Sequence, residues 1–375
     1  MRTPRIVSST SFLALAAACF GAACAANGNG EGKSGFGEGV GGNDGVGSTS
    51  SDAAASPGGD GGGEPSGTSS SGVGGESASS SSGGHSGGSS ASSSSSGSSA
   101  AASSADAGGN GGVNPTMLPT ATVACPDMSN LNGTNVTIDN QAYTVWSGDP
   151  TDGPGPLLIY WYATGSNSME PTWAIQSPQI QRIVAAGGMV AAQVTTTSTG
   201  TNTGDGVWYT GDVTIADQVV ACAVQKQKID TRRIWVAGYS AGALQTVYMW
   251  YARSGYVSGV ISYSGGDITI NHVALEDPTH QPCGLASHGA AGQDVIVVDF
   301  NQASHTWEMD NPSAFIVDCD DGGNHLSTGP RTAMAPQAIQ MLWVHPFGVK
   351  PEPYANGLPS DWPSTCVPPP VPANH

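Results

Sequence analysis

Three residue types that can build a nucleophile relay stand in this chain in settings that favour one. Ser240 lies in Gly238-Tyr239-Ser240-Ala241-Gly242, directly after the apolar run Ile234-Trp235-Val236-Ala237 and directly before Ala243-Leu244-Gln245-Thr246-Val247-Tyr248. A serine at the apex of a sharp strand-to-helix turn has an exposed hydroxyl, and small residues two positions before and after it give the clearance the turn needs. The helix that starts at Ala241 aims its first amides and its positive dipole end at the place where an oxyanion would form. A hydroxyl attacks only if a base takes its proton, and the base needs an acid to fix its tautomer and balance its charge. His325, in the small-residue loop Gly322-Gly323-Asn324-His325 after an apolar run, is the candidate base. His272, His280 and His305 fall in polar insertions or on helix surfaces, and His345 and His375 lie beyond the last helix.

The acid must lie between Ser240 and His325 in elbow-type sites. Two carboxylates qualify, and they depend on which apolar run is the strand. If residues 283–289 form it, Asp294 sits on the exit loop; if 295–298 form it, Asp299 stands at its end.

The elements that would carry these residues alternate. Residues 135–139 and 142–146 read as an edge hairpin around Asp139-Asn140, with period-two polarity. Residues 156–162 and 189–194 are continuously apolar, as strands buried on both faces of a parallel sheet are. Between them 174–186 has helical periodicity and ends at Gly187-Gly188. A long polar loop, 195–212, contains Trp208 and Tyr209, candidates for a substrate wall because open α/β sheets bind ligands beyond the carboxyl ends of their strands. A helix over 216–228 leads to the nucleophile strand. Strands over 259–263 and 314–318 and a final helix over 331–344 complete the reading, with 265–282 an irregular insertion. The loop after the first buried strand, Ala163-Thr164-Gly165-Ser166, is placed to offer the Thr164 amide as a second oxyanion donor beside that of Ala241.

Residues 1–26 carry Arg2 and Arg5, an apolar stretch and small residues, which is the pattern of a secretory signal and too short for a membrane span. Gly21-Ala22-Ala23-Cys24 resembles a lipoprotein processing site with Cys24 as the acylated residue, so the expectation is a protein either secreted or held at an outer membrane surface by a lipid on Cys24. Residues 27–112 are almost entirely Gly, Ser, Ala and scattered acids; they bury too little apolar surface to fold and read as a flexible tether. The formal charge of -18 excludes a nucleic-acid role. Residues 113–375 hold all nine Trp and form one domain of ordinary size. The five cysteines of this domain, Cys125, Cys222, Cys283, Cys319 and Cys366, contain no CxxC pair, so they read as at most two disulfides and one free thiol rather than as metal ligands.

The segments Trp161-Tyr162-Ala163-Thr164-Gly165-Ser166, Ile229 to Gly242, His288-Gly289 with Asp294 downstream, and Gly322-Gly323-Asn324-His325 together resemble the α/β-hydrolase superfamily, and within it the secreted polyhydroxybutyrate depolymerases and feruloyl esterases. The likeness spans about 156–344. It implies an α/β-hydrolase fold, a mostly parallel sheet flanked by helices, and a serine esterase with the relay Ser240, Asp294 and His325, without metal or organic cofactor. It favours Asp294 over Asp299, since the family's acid follows the second His-Gly pair. The chain has Tyr162-Ala163 where the family shows His-Gly at the oxyanion loop, and a longer step from Gly289 to Asp294. The implied substrate is an ester, polymeric in the nearest analogies. The competing expectation is a hydrolase-fold surface module without activity that binds a polymer or cell-wall component.

Overall fold

The computed structural model describes residues 113–369. The expected signal sequence, the expected lipidation site at Cys24 and the expected tether lie outside the described residues.

A hairpin opens the domain. β1 (Asn132–Ile138) pairs antiparallel with β2 (Gln141–Ser147), and Asp139 and Asn140 turn the chain with φ of 49° and 62°. Both central residues of such a two-residue turn need positive φ, which Asn and Asp tolerate best after glycine. Next come β3 (Leu157–Trp161), α1 (Ser177–Ala185), β4 (Met189–Gln193), α2 (Thr210–Cys222) and β5 (Ile234–Tyr239). They are followed by α3 (Ala241–Ala252), β6 (Gly259–Tyr263), β7 (Cys283–His288), α4 (Phe300–Asp310) and β8 (Ile316–Asp320). The chain closes with α5 (Thr328–Ala333), α6 (Ala335–Val344) and the short β9 (Cys366–Val367).

The strands form one sheet in the order β1-β2-β4-β3-β5-β6-β7-β8-β9. The six central strands from β4 to β8 are parallel, and only the hairpin and β9 run antiparallel. All residues of β3, β4, β5, β6 and β7 are buried, which is why these strands read as unbroken apolar runs. The chain leaves β3 toward β4 on one side and returns to β5 on the other. That reversal falls between β3 and β5, where open α/β sheets place their sites at the carboxyl ends of the strands.

Proline breaks two of the expected helices. The helix expected over 174–186 is a wide turn at Thr172–Gln176 followed by α1, with Gln176 at φ 71° between them. Pro178 has no N–H for the carbonyl of Ala174 and its ring would collide with it, so a continuous helix is excluded. Pro336 likewise divides the expected 331–344 helix into α5 and α6. α2 begins six residues earlier than expected, because buried Asp212 accepts the Tyr209 N–H at 3.0 Å and caps the start.

The run 295–298 forms no strand. β7 already has β6 and β8 on its two edges, so the sheet has no vacant edge there, and the run is a turn with Val295, Ile296 and Val297 exposed. Disulfides join Cys125 to Cys222 and Cys319 to Cys366; Cys283 is a free, buried thiol. No helix among the described residues is long and apolar enough to cross a membrane.

Candidate active site

β5 delivers the backbone to Ser240, whose own residue has φ 53° and ψ -118°, and α3 departs from the next residue. The Ser240 N–H is held by the carbonyl of Tyr263 on neighbouring β6 at 2.9 Å. The turn is possible because two residues lack side chains. A Cβ on Gly238 would stand 2.3 Å from the Gly242 carbonyl oxygen, and one on Gly242 would stand 1.9 Å from that of Trp161. The second contact also shows that the start of α3 packs on the end of β3. The loop carrying Thr164 therefore leaves β3 beside the nucleophile.

The candidate base and acid arrive from two other strand ends. His325, on the loop after β8, has Nε2 2.9 Å from Ser240 Oγ and Nδ1 2.7 Å from Asp294 Oδ1. Asp294, on the loop after β7, is fully buried, and Ser240 and His325 are nearly so. Burial acts against ionisation of the Asp294 carboxyl, but the His325 hydrogen bond, the Gly289 amide and the Arg331 charge outweigh it and hold it below the ordinary carboxylate value. Asp294 is therefore a carboxylate at neutral pH. Asp299, the other candidate, instead caps α4, accepting the Gln302 N–H at 3.1 Å.

Residues without a sequence signature hold this relay in place. Arg331, fully buried in α5, donates through Nη1 to the Ser264 hydroxyl and through Nη2 to the Asn324 carbonyl at 2.8 Å. Its Nη2 lies 3.6 Å from Asp294 Oδ2 and its Nε 2.8 Å from Asp321. Ser264 passes the restraint on, donating to Asp294 Oδ2 at 3.0 Å. The Tyr239 hydroxyl donates to the His325 carbonyl at 2.6 Å, and burial pushes its pKa up to about 12, so it keeps its proton. Phe300 stacks on the His325 ring at 4.5 Å between centroids. The neighbourhood of Ser240 in sequence pointed to Tyr239 only as an elbow residue, and nothing local marks Arg331 or Ser264.

Glu170 is a second such residue. It is buried behind the loop after β3, accepts the Tyr160 hydroxyl at 2.7 Å and takes the Ala163 N–H at 3.1 Å. The Ala163 amide is thereby committed to the scaffold, while Thr164 is tied by its hydroxyl to Asp205 at 2.7 Å.

The substrate-wall expectation needs correction at Trp208. Trp208 is fully buried, packs edge-on against Trp161 and Tyr162, and donates from Nε1 to the Tyr162 carbonyl at 2.8 Å. It pins the long loop to the end of β3. Tyr209 is half-buried at the start of α2, and its backbone carbonyl accepts from Gln245 of α3. Exposed apolar groups adjoin the relay residues in sequence, Leu326 after His325 and Val295–Val297 after Asp294, and Trp173, 43% exposed, has its ring 5.9 Å from that of Tyr239.

The strand order, the elbow after β5 and a relay in the chain order Ser, Asp, His define this domain as an α/β-hydrolase fold with a serine-hydrolase constellation. No protein-family model matches the chain, and no curated protein is similar to it in sequence. Among solved structures it is similar to the native form of a protein designated pOPH, at 17% identity over 67% of this chain and 98% of that one, with a TM-score of 0.49. It is also similar to a ferulic acid esterase (13% identity, 56% and 95% covered, TM-score 0.42). A third is FphF, a fluorophosphonate-binding serine hydrolase of Staphylococcus aureus (15% identity, 56% and 96% covered, TM-score 0.41).

Proposed function

We propose that this domain is an exported serine ester hydrolase that works through an acyl-enzyme on Ser240. The observation that carries the reading is the unbroken relay from Ser240 Oγ to His325 at 2.9 Å and on to Asp294 at 2.7 Å. His325 Nε2 takes the hydroxyl proton as Oγ attacks the ester carbonyl, and Asp294 stabilises the imidazolium. The oxyanion of the tetrahedral intermediate is received by the amides of Ala241, at the start of α3, and Thr164. Collapse breaks the bond to the alcohol oxygen, which leaves with the proton from His325. A water then repeats the sequence against the acyl-enzyme and frees the acid and Ser240. The chemistry requires no metal or organic cofactor.

The substrate we infer is an ester with an extended apolar acyl part, including polyesters and acylated polysaccharides. The exposed Leu326 and Val295–Val297, neighbours in sequence of His325 and Asp294, and the exposed Trp173 support this, because they offer apolar contact at an open surface. The two disulfides support an oxidising, extracellular setting. Labelling with a fluorophosphonate probe tests the proposal: the folded domain takes up one equivalent and Ser240→Ala none. Folded protein that resists the probe and leaves p-nitrophenyl butyrate intact would refute it.

A further inference from the structure

A second cluster of chemistry-bearing side chains lies behind the acid loop and takes no part in the relay. His288, the last residue of β7, is fully buried, and its Nε2 lies 2.7 Å from Asp318 Oδ1 on β8. The other oxygen of the same carboxylate lies 3.5 Å from Nε2 of His305 on α4. The two imidazoles meet edge to face with 4.9 Å between ring centroids, and one ligand atom from each of the three residues falls within 4.8 Å of the others. From these we infer a divalent-cation site made by His288, His305 and Asp318, with zinc the ion its donors suit best.

Three further features favour a cation over a simple hydrogen-bonded pair. His288 Nδ1 faces the Gly289 carbonyl at 2.9 Å, which accepts the ring N–H and leaves Nε2 directed at Asp318, where a bound cation would take the place of the proton that Nε2 shares with the carboxylate. A metal-binding histidine is oriented in this way, its far nitrogen donating to a backbone carbonyl. Asn301 steadies that carbonyl from Nδ2 at 2.9 Å and lies 3.1 Å from His288 Nδ1. Near this cluster, close enough to feel the charges of Asp318 and His288, one Glu308 carboxylate oxygen, one helical turn beyond His305, is shut off from solvent and has no hydrogen-bond partner. Two imidazoles with carboxylate oxygens form a donor set that zinc takes in fourfold coordination, whereas magnesium and calcium prefer oxygen alone.

The position gives the site a consequence. His288 immediately precedes, and α4 immediately follows, the segment 289–299 that carries Asp294. A cation held by His288 and His305 clamps both ends of that segment, so it acts on the rigidity of the acid loop without touching Ser240.

Isothermal titration of the untagged, chelator-washed domain with zinc chloride, joined to thermal denaturation with and without zinc, tests the site without any readout of activity. We expect one zinc per chain and a raised melting temperature. His305→Ala and Asp318→Asn, both at partly exposed positions, should weaken that binding at least about tenfold. His272→Ala is the control, because Asp267, His272 and Asp310 form another group of possible donors elsewhere. The inference is overturned if the wild type binds no zinc, if His305→Ala and Asp318→Asn bind it as the wild type does, or if His272→Ala alone abolishes it.

Discussion

Replacing Glu170 by Gln probes the scaffold behind the oxyanion loop through its effect on stability. Burial raises the Glu170 pKa from 4.5 to about 7, against the opposing hydrogen bonds from Ser166, Tyr160 and the Ala163 amide. The folded state thus keeps this proton over a range in which the unfolded chain has lost it. Stability from this group is complete below pH 4.5 and is lost as pH rises through 7. At about 1.4 kcal/mol per pH unit, the whole loss is about 3 kcal/mol, of which about 2.5 kcal/mol falls between pH 5 and pH 8. Gln is nearly isosteric, keeps an acceptor for the Ala163 N–H and does not titrate. Urea unfolding of wild type and Glu170→Gln at pH 5, 6, 7 and 8, with disulfides intact, should therefore show the variant gaining on the wild type by about 2.5 kcal/mol across the series. Glu308, pushed up to about 8 chiefly by burial, titrates with the same sign in both proteins and cancels in the difference. Parallel pH dependences for the two proteins would show that the carboxyl is solvated or paired with a charge, and the account of this loop would fail.

Asp294→Asn should fold normally and lower kcat by as much as about 10⁴-fold on a short acyl ester, because His325 is left in the wrong tautomer. Asp299→Asn should keep full activity, since Asn still caps α4. Arg331→Met leaves the Asp321 and Asp294 carboxylates buried without their guanidinium, and chemical denaturation should register a loss of about 3–5 kcal/mol. Trp208→Phe removes the donor to the Tyr162 carbonyl while keeping an aromatic ring, and should cost about 1–3 kcal/mol with little change in KM, measured by unfolding and steady-state kinetics. Reducing both disulfides, which close loops of 97 and 47 residues in sequence separation, should lower the urea midpoint by the equivalent of roughly 4 kcal/mol for each bridge.

Elements whose identity rests on nearest neighbours in sequence were legible. The parallel strands show themselves as apolar runs because both their faces are covered, and Ser240 shows itself because an elbow needs small residues at fixed offsets. Residues 295–298 are as apolar as a strand, but strand formation also needs a free sheet edge, and edge occupancy is a property of the whole topology. Trp208 failed as a substrate wall for a related reason: an aromatic in a polar loop has the same local pattern whether it faces a ligand or plugs the domain. Arg331 was beyond reach altogether. Its value lies in joining Ser264, Asp294 and the Asp321–Asn324 loop, which are three separate stretches of chain.

The left-handed conformation at Ser240 also acts as a filter on what the catalytic atom can be. At φ 53° a residue with one heavy substituent on Cβ is tolerated under strain, while a second branch on Cβ meets the backbone that follows. Serine and cysteine pass this test and threonine does not. The identity of the attacking group is in this sense fixed by the path of the main chain before any question of reactivity arises. A hydroxyl or a thiol can evolve or be installed at this apex by a single change, whereas a secondary alcohol would require the turn itself to be rebuilt.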